Sequence, residues 1–89
     1  MRTVWKYPIY ENVHYDRIRV PAGAVPLYVG LQEGGMVLWM QVETDNPRHM
    51  RQTVIVPTGG TIPEDGTYAG SAQQGPFVWH LYLGPEETA

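Results

Sequence analysis

A threonine-flanked glycine turn, a pair of arginines and a few aromatic or imidazole rings are the parts of this 89-residue chain best suited to chemistry. Thr58-Gly59-Gly60-Thr61 follows an apolar stretch. Consecutive backbone N–H groups in such a turn can form a concave anion-binding nest, and threonine hydroxyls add donors. The turn lacks the lysine and the helix start of a nucleotide P-loop, so a plain turn is the alternative. Arg48, His49 and Arg51 follow Asp45-Asn46-Pro47 as the basic cluster of an acidic chain. Guanidinium groups hold phosphate or carboxylate through paired N–H bonds. Should the fold bring Arg48 and Arg51 to Thr58–Thr61, together they make a phosphate pocket. Otherwise the arginines guard a strand edge with charge.

Rings are abundant, with 3 Trp and 6 Tyr. Exposed rings stack on a base or another cyclic ligand, or anchor a subunit interface. Trp39 and His80 are the expected stacking groups, although His80, between Val78 and Tyr82, equally suits a packed histidine bonded to a neighbour. His14, His49 and His80 form no HxH or HxxxH pair, and Ser71, the one serine, has no nucleophile elbow around it. The expectation is therefore a small anionic or nucleotide-type ligand held by Arg48, Arg51, Thr58, Gly59, Gly60, Thr61, Trp39 and His80, without metal, cofactor or catalysis. The alternative is a protein-contact module that works through its aromatic surface.

Composition narrows the field further. A net charge of −3 argues against general nucleic-acid binding, which needs a dominant basic surface. The absence of cysteine removes disulfides, thiol nucleophiles and Cys–zinc sites. No apolar run approaches the ~18 residues of a membrane-spanning helix, and Lys6 and Pro8 interrupt the start where a signal peptide needs an apolar stretch. A cytoplasmic protein is expected.

The elements that must position these residues read as strands. Ten glycines and eight prolines punctuate the chain too closely for long helices. Met36, Leu38, Met40 and Val42 alternate with Val37, Trp39, Gln41 and Glu43, the period-two pattern of a half-buried strand. Trp5, Tyr7 and Ile9 alternate within 3–10, and a turn near Glu11-Asn12 leads to a strand over 14–20. Further strands are expected over 52–56, 67–73 and 77–83, the last apolar on both faces and hence central or covered. Gly34-Gly35 predicts a type I′ hairpin with Glu33 opposite Met36, Leu31 opposite Leu38 and Val29 opposite Met40. Leu27 then faces Val42 on the same core face, and Trp39 lies over Gly30. Gly75-Pro76 cannot form a I′ turn, because proline cannot take a positive φ, which predicts a longer connection there. Six or seven short strands in one domain over 1–83, with an acidic frayed tail over 84–89, predict an all-β antiparallel sandwich or open barrel. Aromatic-rich and edge strands favour a homo-oligomer.

The order of several short motifs adds a resemblance. Thr3-Val4-Trp5-Lys6-Tyr7-Pro8-Ile9 opens the chain, and Leu38-Trp39 lies within it. Thr58-Gly59-Gly60-Thr61-Ile62-Pro63, Tyr68-Ala69-Gly70 and Gly75-Pro76-Phe77-Val78-Trp79-His80-Leu81-Tyr82 follow. In this the chain resembles a family of small phage and prophage proteins carrying a domain of unknown function. The resemblance implies a phage context, in the cytoplasm of an infected or lysogenic host, and assigns no catalytic or binding residue. By analogy of context it admits an anti-defence role, such as sequestering a nucleotide immune signal of the host.

Overall fold

The computed structural model describes residues 1–10 and 15–88. The expected turn near Glu11-Asn12, the start of the 14–20 strand and His14 lie outside the described residues. The strands are β1 (Arg2–Ile9), β2 (Tyr15–Pro21), β3 (Val25–Gln32), β4 (Gly35–Glu43), β5 (Arg48–Pro57), β6 (Thr67–Gln74), β7 (Phe77–Leu83) and a two-residue β8 (Glu87–Thr88). They pair antiparallel in two sheets, β1-β4-β3 and β2-β5-β7-β6, with β8 beside β5. The architecture is the expected small sandwich or open barrel, and no helix occurs among the described residues.

Period-two alternation decides which faces meet. Met36, Leu38, Met40 and Val42 of β4 are buried against Ile18, Val20, Leu81 and Leu83 from the other sheet. Trp5 and Tyr7 pack against the edge of this core and Ile9 lies within it. The sheets also touch at one side, where β6 passes β3. A β-carbon at Gly70 would lie 2.7 Å from Val29 Cγ2, and the β6–β7 register slips between Tyr68 and Gly70 at that point.

The β3–β4 hairpin forms, with its turn one residue earlier than expected and its pairing register shifted by two. Its central residues are Glu33 and Gly34, at φ 54 and 82, as a type I′ turn requires. Leu31 therefore faces Met36, Val29 faces Leu38 and Tyr28 faces Trp39. Strand faces repeat every two residues, so a two-residue shift leaves Met36 and Leu38 pointing inward and is invisible to the hydrophobic pattern. A register slip between Pro26 and Tyr28 leaves Leu27 half-exposed instead of opposite Val42. Trp39 does not cover Gly30. The ring over that glycine is Tyr28, which would stand 2.6 Å from a β-carbon there.

Two further expectations change. Gln74 pairs directly with Phe77, so Gly75-Pro76 is a two-residue turn. Gly75 alone takes positive φ, at 57, which suits a type II′ turn and leaves proline in its ordinary range. The acidic tail is tied down through residue 88. Gly84 N–H donates to Gln52 C=O at 2.9 Å, and Glu87 and Thr88 pair with Met50 and His49. Glu86 accepts from Gly23 N–H at 3.2 and 3.3 Å through its two carboxylate oxygens. The chain leaving β7 continues along β5, where backbone groups beyond the end of β7 are open to pairing.

Candidate functional site

Leu81 and Leu83 point into the core, so their neighbours His80 and Tyr82 point to the outer face of the second sheet. Val56 lies opposite His80 across β5–β7, and Ser71 lies opposite it across β6–β7. Residues 58–66 fold back over this outer face. Gly60 N–H donates to Pro57 C=O at 2.8 Å and Gly66 N–H to Pro63 C=O at 3.0 Å, forming two successive tight turns. The glycines are needed for the close approach. A β-carbon at Gly60 would stand 3.0 Å from Val56 Cγ1, and one at Gly66 would stand 2.8 Å from Pro63 Cγ.

Between loop and sheet lies an open pocket of about 260 Å³. Val56, His80 and Tyr82 come from the sheet, while Pro57, Thr58, Gly59, Gly60 and Ile62 come from the loop. Its lining is mostly apolar, with Thr58, His80 and the Tyr82 phenol as the side chains that carry polar atoms.

Both nitrogens of His80 are engaged. Thr58 Oγ1 lies 3.0 Å from Nε2 and Ser71 Oγ lies 2.7 Å from Nδ1. Tyr68 OH stands 2.6 Å from Ser71 Oγ, and Thr58 Oγ1 lies 3.5 Å from Val78 C=O. A carbonyl can only accept, so the chain has two orders. With the imidazole proton on Nε2, Thr58 accepts from His80 and gives its own proton to Val78 C=O, while Nδ1 accepts from Ser71 and Ser71 from Tyr68. With the proton on Nδ1, His80 donates to Ser71 and Thr58 donates to Nε2.

The expected ligand residues are divided by the fold. Thr58, Gly59, Gly60 and His80 meet at the pocket, whereas Thr61 is exposed in the loop and does not line it. Arg51 and Arg48 precede Thr58 by seven and ten residues along extended chain, which places them roughly 23 and 33 Å away at ~3.3 Å per residue. Their guanidinium groups also have internal partners. Arg48 Nη1 donates to Thr44 C=O at 3.1 Å and Asn46 C=O at 2.8 Å, with the group 5.1 Å from the Trp5 ring centre. Arg51 Nε donates to Gly84 C=O at 2.7 Å. These contacts hold the β4–β5 connection and the chain end after β7. The arginine–threonine phosphate pocket therefore does not assemble. Trp39 belongs to the other sheet, where its ring is 5.8 Å from that of Tyr28.

His49 faces Glu86, with Nδ1 3.5 Å from Oε2. Among the described residues no group of three or more His, Cys, Asp or Glu is placed to hold a metal ion. No helix among them is long and apolar enough to cross a membrane.

Spacing along the chain does not mark Ser71, Tyr68, Tyr82, Val56 or Ile62 as ligand residues. One signal for Ser71 was present. A two-residue turn at Gly75-Pro76 places 74 opposite 77, and hence 71 opposite 80.

The whole chain, residues 1–89, matches a family described as a domain of unknown function, DUF7352. The chain belongs to that family. No curated protein and no solved structure matches it. Family membership agrees with the domain of unknown function in the motif resemblance and carries no activity with it.

Proposed function

We propose that this DUF7352 chain is a non-enzymatic binding domain that takes the ring of a small nucleoside- or nucleotide-type ligand in the pocket beneath residues 58–66. The observation that carries this reading is the junction of the Thr58-Gly59-Gly60 turn with His80 and Tyr82 around one concavity. Small-molecule sites are mostly apolar clefts with a few placed polar groups, and a volume just below their ~300–1,000 Å³ range suits no more than one ring system. Tyr82 offers an aromatic surface, and Gly59 and Gly60 let a ligand approach the backbone. No lysine or arginine lines the pocket. Affinity is thus expected to rest on the ring, with phosphate directed to solvent. The phage resemblance supports sequestration, in which a host immune signal is withheld intact within the host cytoplasm.

A depletion experiment tests this. The protein is equilibrated with nucleosides, mononucleotides and cyclic nucleotides, and the filtrate is chromatographed before and after heat denaturation. The expected result is loss of one compound and its intact return on heating, with Tyr82→Ala abolishing the loss. Conversion to a product would sink the non-enzymatic reading, and no depletion across the panel would remove the nucleotide class.

The outer face of the β1-β4-β3 sheet favours a second reading, a protein-contact module or homo-oligomer. Val4, Val25 and Tyr28 are about half-exposed or more there, beside Trp39. Trp5 and Tyr7, on the opposite face of β1, pack against the core and do not join this patch. Light scattering over a concentration series checks this reading. Association lost in Tyr28→Asp supports it, and a monomer at every concentration removes self-association.

A further inference from the structure

The binding reading uses His80 as pocket wall and leaves the His80–Ser71 contact without a role. That contact has the geometry of an activated hydroxyl. Ser71 Oγ is 2.7 Å from Nδ1, within the range of a nucleophile bonded to its base. The opposite nitrogen is held by Thr58 Oγ1 at 3.0 Å, so a third group orients the base. In the tautomer with its proton on Nε2, His80 turns the Nδ1 lone pair to the Ser71 hydroxyl. Tyr68 OH, at 2.6 Å, fixes Ser71 Oγ from its other side. Ser71 and His80 are directly opposed residues of paired strands, a more rigid mounting than two loops provide. Ser71 is half-buried and Tyr68 beside it is exposed.

We propose that Ser71 is a nucleophilic hydroxyl, with His80 as its base, that accepts one acyl group from an activated phenyl ester. Ser71 Oγ attacks the ester carbonyl carbon while its proton passes to His80 Nδ1. The bond from that carbon to the leaving oxygen breaks, and the phenolate departs with the bonding electrons. The imidazolium keeps its Nε2–H on Thr58 and releases its second proton to water or to the phenolate. The products are a Ser71 ester and the free phenol or phenolate, with no oxidation or reduction. The reaction is stoichiometric, one acyl group per chain, and goes beyond the binding reading.

The test uses the full chain and p-nitrophenyl acetate. Release of p-nitrophenolate is followed optically, and the acetyl group is located by peptide mass spectrometry. Acetylation is expected at Ser71, absent there in Ser71→Ala. It should be slowed about a hundredfold in His80→Gln, the lower range of what a positioned general base supplies. Thr58→Ala, which spares both reacting groups, should slow it less. Ser71 modified at the same rate in His80→Gln, or no faster in the folded chain than in the same chain unfolded in urea, would overturn the proposal. The second comparison needs no variant and holds even where His80→Gln fails to fold. Nucleoside depletion is read separately, so loss of either proposal leaves the other standing.

Discussion

Gly70 meets Val29 so closely that β6 can pass β3 at this distance only with no side chain at position 70. A β-carbon there would stand 2.7 Å from Val29 Cγ2, 2.9 Å from Val29 Cβ and 3.2 Å from Val29 N. Val29 is itself in the core, and its backbone cannot retreat without disturbing β3. Gly70→Ala is expected to destabilise the fold by about 1–3 kcal/mol, the cost of overpacking a close contact. Urea denaturation checks this. A midpoint unchanged from wild type would mean that β3 and β6 separate freely.

Arg51 is expected to matter for stability and not for ligand binding. Its Nε–H donates to Gly84 C=O, where the chain turns from β7 towards β8. Arg51→Met keeps much of the aliphatic stem and removes that bond, with an expected loss of about 1.5–3 kcal/mol for a bond to a charged group. Depletion of any ligand that the wild type captures should be unchanged. Reduced capture by a fully folded Arg51→Met protein would return the arginine to the site.

Tyr7 carries a hydroxyl that is buried without a hydrogen-bond partner, and burial pushes its pKa up from the ordinary 10.0 against the opposing influence of Arg48. Tyr7→Phe is expected to hold or raise the melting temperature at neutral pH, since an unsatisfied buried hydroxyl is itself destabilising. A raised folded-state pKa gives a contribution present below the unfolded value and lost as pH climbs towards the folded one. The advantage of Tyr7→Phe over wild type should therefore widen above about pH 10. Parallel melting curves across that range would expose the error if the gap narrows.

Glu86 joins the chain end to the β2–β3 turn through Gly23 N–H and stands beside His49. Glu86→Ala is expected to raise amide exchange at residues 22–24 and 84–88 while the β4 and β7 cores stay protected. Uniform exchange across the whole chain would mean that this strap is part of the global fold instead of a local clasp.

Much of the fold is legible in the residues, and the errors have definite causes. The alternation in β4 and the apolar character of β7 on both faces correctly predict an inward row and a covered outer face. The hairpin register departs from the expected one because Glu33 takes a positive φ that glycine would adopt at less cost. At Gly75-Pro76 a two-residue turn forms because type II′, unlike I′, needs a positive φ only at its first central residue. Of the candidate site, Thr58, Gly59, Gly60 and His80 converge, while Arg48, Arg51, Thr61 and Trp39 do not line the pocket.

By itself the sequence determined the all-β class, the faces of the clearest strands and the turn-forming segments, because those follow from a period of two and from backbone preferences of single residues. Tertiary structure alone decided strand register, the folding of residues 58–66 onto His80 and Tyr82, and the capture of Arg48 and Arg51 by backbone carbonyls. Each of these depends on which distant groups are left unpaired once the sheets close. A register shifted by two buries the same face, and a guanidinium that reads as free in the sequence is bound wherever the fold presents an unsatisfied carbonyl.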